Sequence, residues 1–227
     1  MKLFESSLKT VLKKDWIPYV VPFLIFLIFT GSVKYFPDFT AYLYIIKTIV
    51  VAALLWFWRN EYKSDIVFNL SFKETVTAVA CGILALVIWV VPEGVFFQLE
   101  QSSSFDPHAL GESTSAVFIL ISVRLFGSAV IVPIMEELFW RSFLMRYLID
   151  SEFKSVALGA FTWFSFIGVA IVFGLEHNRI AVGIIVGFLY GLLLIRQKKL
   201  MGVIVAHAIT NLGLGIYVIV TGNWIFW

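Results

Sequence analysis

The chain has 227 residues, 60% of them hydrophobic, 17% aromatic and only 14% charged, with a formal net charge of +2. Its mean hydropathy is +0.94. A soluble domain of this length needs more charge to cover its surface, so a water-soluble globule is excluded and no nucleic-acid partner is expected. Cys81 is the single cysteine, which rules out an intrachain disulfide and a cysteine-cluster metal site.

Crossing a hydrocarbon core of roughly 30 Å takes about 20 apolar residues, and the chain offers about seven such spans, or eight at most. In order they are Trp16–Val33, Phe39–Trp58, Thr75–Phe97, Ser115–Met135 with a helical continuation to Leu148, Val156–Phe173, Ile180–Ile195 and Leu200–Val220. Lys2, Lys9, Lys13 and Lys14 precede the first span, but no small-residue cleavage site follows it, so a retained first helix is expected. In the sixth span Gly183, Gly187 and Gly191 recur every four residues, a small-residue face on which another helix can approach closely.

The loops alternate in charge. Arg59, Lys63 and Lys73 follow the second span, Arg141, Arg146 and Lys154 the fourth, and Arg196, Lys198 and Lys199 the sixth. The long loop from Pro92 to Ser113 has no Lys or Arg and carries Glu93, Glu100, Asp106 and Glu112. The positive-inside rule then puts the N-terminus in the cytoplasm and Trp227 outside. Trp16, Trp56, Trp58, Trp224 and Trp227 fall near the expected interfaces, as an aromatic belt would. The reading is an all-α polytopic transmembrane bundle forming one membrane domain, with N-terminal spans and outer loop over residues 1–114 and a chemically distinctive core over 115–220. Membrane lipid is its surrounding partner; the oligomeric state is not encoded in any pattern we read.

An ionisable group in hydrocarbon costs at least a few kcal/mol unless paired or wetted, so each is a functional-site hypothesis. All five aspartates (Asp15, Asp38, Asp65, Asp106 and Asp150) lie in loops or at span ends, which counts against an aspartyl intramembrane protease. The exceptions gather in the C-terminal half. Glu136, Glu137 and Arg141 lie in VPIMEELFWR; His177 follows the next run in FGLEH; His207 and Asn211 lie in HAITN. Glu137 and Arg141 are four apart and can pair on one helical face. Glu136 is turned about 100° away and has no charged neighbour on its own face. His207 and Asn211, also four apart, project together. Glu176 reads as an interfacial residue without a catalytic role.

These residue types permit hydrolysis without a protein nucleophile. A carboxylate with no salt-bridge partner in a low-dielectric site is a stronger base than in water and can activate a water molecule. A neutral imidazole can hold that water, and a second His with an Asn can donate hydrogen bonds to an oxyanion. Glu136, His177 and His207 could instead bind a divalent metal such as zinc. Two non-hydrolytic readings use the same buried charges: a self-immunity or scaffold protein that binds a partner, and a transporter or proton relay. The second lacks a visible inverted repeat.

Taken together, Glu136-Glu137-x-x-x-Arg141, Phe173-x-x-x-His177 and His207-x-x-x-Asn211 resemble the three-motif signature of the CPBP family, the type II CAAX prenyl protease and abortive-infection family of intramembrane proteases. The resemblance runs from about Leu125 to Leu214, with no departure at the motif positions. It implies an endopeptidase in which Glu136 and His177 activate water, His207 and Asn211 form the oxyanion site, and Glu137 and Arg141 support the geometry. It also implies that no catalytic metal is obligatory. EELFWRSFLMRYLI, the outer FDP and the TGNWIFW ending are similar to the CAAX protease-related branch that accompanies exosortase and PEP-CTERM sorting. That similarity implies an exported or membrane-anchored protein or peptide as substrate, and a bacterial inner-membrane location.

One expectation conflicts with the others. On this topology Glu136 lies near the cytoplasmic end of its helix, with His207 about 10 Å in from the same side at 1.5 Å per residue. His177 comes out near the opposite end of the fifth span. The three reach one water only if that helix starts deep, breaks or tilts strongly, or if its boundary lies several residues from Val156.

Overall fold

The structure is a computed structural model that describes residues 14–95, 105–111 and 113–227. Lys2, Lys9 and Lys13, the end of the expected third span at Phe97, and Glu100 and Glu112 of the outer loop lie outside the described residues. Among the described residues every regular element is helical. The main helices are α1 (Ile17–Ser32), α2 (Thr40–Phe57), α3 (Phe72–Val90), α4 (Thr114–Tyr147), α5 (Trp163–Leu175), α6 (Ile180–Gln197) and α7 (Leu200–Thr221). Five of them, α2, α3, α4, α6 and α7, are long and apolar enough to cross a membrane. The other two, α1 and α5, are apolar but shorter, at 16 and 13 residues.

Capping sets two boundaries that hydrophobicity leaves open. Helix α3 starts at a capping box in which Ser71 accepts from the Glu74 amide and Glu74 accepts from the Ser71 amide. Helix α5 starts seven residues later than its apolar run suggests. The stretch from Val156 to Phe161 reads as the beginning of a span, yet Gly159 takes a left-handed φ of +76° close to the Leu194 carbonyl, which prevents helix there. The Thr162–Ser165 capping box then opens the helix at Trp163. Its 13 residues span only about 20 Å, less than the roughly 30 Å of a hydrocarbon core. That shortness is the physical reason why its C-terminal end reaches Glu136 rather than the far surface.

Helices α5 and α6 form an antiparallel hairpin along the glycine face foreseen in the sixth span. A Cβ at Gly187 would sit 3.0 Å from both Cα and O of Ala170, and one at Gly183 would sit 2.9 Å from Cα of Gly174. On the other side α7 packs against α3, where a Cβ at Gly82 would collide with the Ala206 carbonyl. Close backbone approach is what holds such helices together in lipid, where apolar burial gives little preference for one partner over another.

Helix α4 is the central strut. It contains two π-helical stretches, Gly127–Ile131 and Leu138–Leu144, with the α-helical turn Val132–Glu137 between them. Pro133 has no amide hydrogen to give to the preceding turn, and the π stretch just before it accommodates that loss. Glu136 and Glu137 therefore sit between two register shifts, on backbone that differs from a plain α-helix on either side.

Candidate active site

The motif residues surround one cavity of about 180 Å³ at the centre of α4, α5, α6 and α7. Glu136, His177, His207 and Asn211 all line it. Along α4 the wall is built from Arg124, Ser128, Val132 and Glu136, one residue per turn. A larger vestibule of about 420 Å³ lies beside it, and Trp89, Arg124, His177, Phe226 and Trp227 belong to both spaces.

Adjacent positions on α4 face different partners. Glu137, fully buried, accepts at Oε1 from Arg141 Nη1 at 3.2 Å and from His207 Nδ1 at 2.8 Å. The Arg141 guanidinium, also fully buried, lies 4.3 Å over the Phe173 ring. This Arg141–Glu137–His207 chain ties α4 to α7. Glu136 is turned to the α5–α6 corner, where its carboxylate, that of Glu176 and a ring nitrogen of His177 lie within 4.8 Å of one another. Its Oε2 is buried and has no hydrogen-bond partner among the described residues.

Each histidine is oriented through one nitrogen. His177 Nδ1–H donates to the Phe173 carbonyl at 2.7 Å, one turn back on its own helix. His207 Nδ1–H donates to Glu137. In the neutral rings the lone pair is then on Nε2, the nitrogen that each leaves unengaged. Asn211 Nδ2 donates at 2.8 Å to the carbonyl of Ser128, in the first π stretch, where the widened turn frees a carbonyl to accept it. Next to it Thr210 Oγ1 accepts from Tyr190 O–H at 2.7 Å and lies 2.8 Å from the Gly82 carbonyl, locking α7 to α3 and α6.

Four sequence candidates thus share one cavity, with Glu137 and Arg141 directly behind it. The link from Glu137 to His207 joins positions 70 residues apart, and no local spacing signals it. Glu176, read from the sequence as an interfacial residue, has neighbours that the sequence reading did not assign to it. Its side chain is 15% exposed and lies close to Glu136 and His177. Of the metal-ligand trio Glu136, His177 and His207, only the first two share a close donor group, and the third member of that group is Glu176. His207 is held away from it by its bond to Glu137. The adjacency of Glu176 and His177 in sequence was the one available signal.

The sequence comparisons bear on the same region. No curated protein and no solved structure matches the chain significantly. Residues 108–213 match the family model described as type II CAAX prenyl endopeptidase Rce1-like, a stretch that contains every motif position from Glu136 to Asn211. Residues 108–213 thus form an Rce1-like domain, and the five long apolar helices make the chain an integral, multi-pass membrane protein.

Proposed function

We propose that this protein is an intramembrane endopeptidase in which Glu136 and His177 activate a water for attack on a peptide carbonyl. The observation that carries this reading is the shared cavity of Glu136, His177, His207 and Asn211, inside the stretch that matches the protease family. Glu136 takes the proton of the attacking water, since its Oε2 has no other partner to hold. His177, fixed through Nδ1, directs Nε2 at that water. As negative charge develops on the carbonyl oxygen, Asn211 meets it with its remaining amide hydrogen. His207, its ring oriented through Nδ1 by Glu137, stands with Asn211 as the second group of the oxyanion site in this reading. The proton on Glu136 then passes to the leaving amine, which completes hydrolysis.

The substrate in this reading is a membrane-anchored or exported protein in a bacterial inner membrane, entering from the vestibule next to His177. With the N-terminus cytoplasmic, that vestibule opens on the outer side, where the ends of α1, α3 and α7 gather with the α5–α6 corner. The test is cleavage of a membrane-anchored quenched-peptide pool by the full chain in lipid nanodiscs, with products read by mass spectrometry. Glu136→Ala, His177→Ala and His207→Ala are each expected to abolish cleavage while leaving the protein folded in the membrane. Full cleavage by Glu136→Ala would refute the reading.

A further inference from the structure

The vestibule beside the catalytic cavity holds charge that plays no part in the proposed hydrolysis. Lys47 of α2, Arg124 of α4 and Arg179 at the α5–α6 corner line it, and no Asp or Glu does so among the described residues. Arg179 is partly answered, since Nη2 lies 3.6 Å from Glu93 Oε1 and Nη1 donates to the Trp89 carbonyl at 3.2 Å. Lys47 and Arg124 are not. Neither has a carboxylate within 4.0 Å among the described residues. Lys47 is 8% exposed and donates to the Thr30 hydroxyl at 3.0 Å, and Arg124 Nε is buried without a hydrogen-bond partner.

The surroundings fix these two cations without neutralising them. Lys47 Nζ lies 4.3 Å over the Phe26 ring and 4.7 Å over the Tyr44 ring. The Arg124 guanidinium lies 4.5 Å over the same Tyr44 ring and 4.8 Å over Phe105. Aromatic faces attract a cation but carry no formal negative charge. Two like charges gathered on one ring inside a bundle are costly in low dielectric unless an anion joins them. A planar guanidinium beside an ammonium suits a carboxylate, which accepts a parallel pair of bonds from the first and another from the second. Counted from the starts of α2 and α4, Lys47 and Arg124 lie about 10 and 15 Å along their helices at 1.5 Å per residue. That depth favours an anion carried in on a peptide over the phosphate of a phospholipid, which stays at the interface.

We propose that Lys47 and Arg124 form a subsite for an acidic side chain of the substrate peptide, with Arg179 at its edge. The proposal rests on the endopeptidase reading and adds a substrate class to it. Arg124 lines both spaces, on the same face of α4 as Glu136 and three turns from it. That is about 18 Å at 1.5 Å per residue, which an extended peptide covers in about five residues. The preferred substrate therefore carries an Asp or Glu within about five residues of the bond that is cut. Lys47 lies outside the stretch that matches the protease family, so this selectivity belongs to the N-terminal helices of this chain as much as to its catalytic core.

The experiment measures binding apart from cleavage, on the full chain with Glu136→Gln in phosphatidylcholine nanodiscs. The probes are a rhodamine-labelled, C-terminally amidated peptide with a central Asp-Glu pair and its Asn-Gln counterpart, followed by fluorescence anisotropy. The acidic peptide is expected to bind at least about tenfold more tightly, and adding Lys47→Met or Arg124→Gln should bring the ratio within about twofold. Lys47→Met keeps the length of the stem, and thermal melting checks that each variant is folded. Equal binding of the two peptides would overturn the subsite, as would an undiminished preference in both folded variants. A preference that follows a free C-terminal carboxylate rather than the Asp-Glu pair would overturn the side-chain assignment. Phosphatidylglycerol that raises the melting temperature of the parent but not of Lys47→Met, with no peptide preference, would give the vestibule to lipid and overturn it too. Acidic-peptide preference with no cleavage of any peptide by wild type would sustain the subsite and refute the protease reading. Cleavage without that preference would refute the subsite alone.

Discussion

Helix α4 carries two buried arginines, Arg141 and Arg146, whose surroundings differ in one respect. Around Arg146 the hydrogen bonding is complete. Asp65 Oδ2 accepts from Tyr19 O–H at 2.7 Å, Ser142 O–H at 2.7 Å and Arg146 Nη2 at 3.0 Å, and Arg146 Nε donates to the Ser142 carbonyl. None of these groups leaves a buried polar atom unpartnered. Around Arg141 the accounting is open: Nε and Nη2 of Arg141 and Oε2 of Glu136, Glu137 and Glu176 have no partner among the described residues. A saturated network fastens α1 and the α2–α3 connection to α4. An unsaturated one keeps polar capacity for something that arrives, since native interiors seldom leave such groups unpaired without a functional reason.

Four substitutions sharpen or break this contrast. The largest effect is expected for Glu136→Gln, which should lower cleavage roughly a hundred- to ten-thousand-fold by removing the base and leave the melting temperature near wild type. A large loss of stability with it would mean that the Arg141 network is structural too. Asp65→Ala should do the reverse. It strands the buried Arg146, at a cost of about 3–5 kcal/mol, visible as a lower melting temperature, while cleavage per folded molecule stays within about twofold of wild type. Activity lost in step with the Glu136 variant would place Asp65 in the reaction and erase the distinction.

Glu137→Gln is intermediate. It keeps the shape but weakens the hold on His207 and Arg141, and cleavage should fall about 10–100-fold, the usual scale for a group that orients a functional histidine. The smallest effect is expected at Lys154, whose ammonium pairs with Asp15 at 3.0 Å and Glu61 at 3.4 Å on the exposed surface. Lys154→Ala should shift stability by no more than about 1 kcal/mol, measured by thermal melting in the same detergent. A larger shift would show that this surface group works with the Asp65 network nearby.

Much of the fold was legible in the sequence because its signals are local. Each α-helix longer than ten residues falls on an apolar run, and the glycines of α6 face a neighbour as their four-residue spacing implied. The candidate site was legible as a set of residue types, since charge and imidazole inside apolar sequence stand out against everything around them. Asp65 lies in a loop, as its sequence position implies, but that position carries little information about its surroundings. A position beyond the end of a span gave no hint that it is 5% exposed and paired with a residue 81 positions away.

By itself the sequence determined the membrane class, the helical content and which polar residues lie within apolar surroundings, because bilayer thickness and the price of buried charge act on every short segment separately. Only the tertiary structure decided the rest. The late start of α5, set by Gly159 and the Thr162 cap, shortens that helix enough to bring His177 to Glu136. The fold of the chain also turns Glu137 toward His207 and draws Glu176 into the group. The contacts among these groups join elements far apart along the chain and are fixed by packing and backbone register.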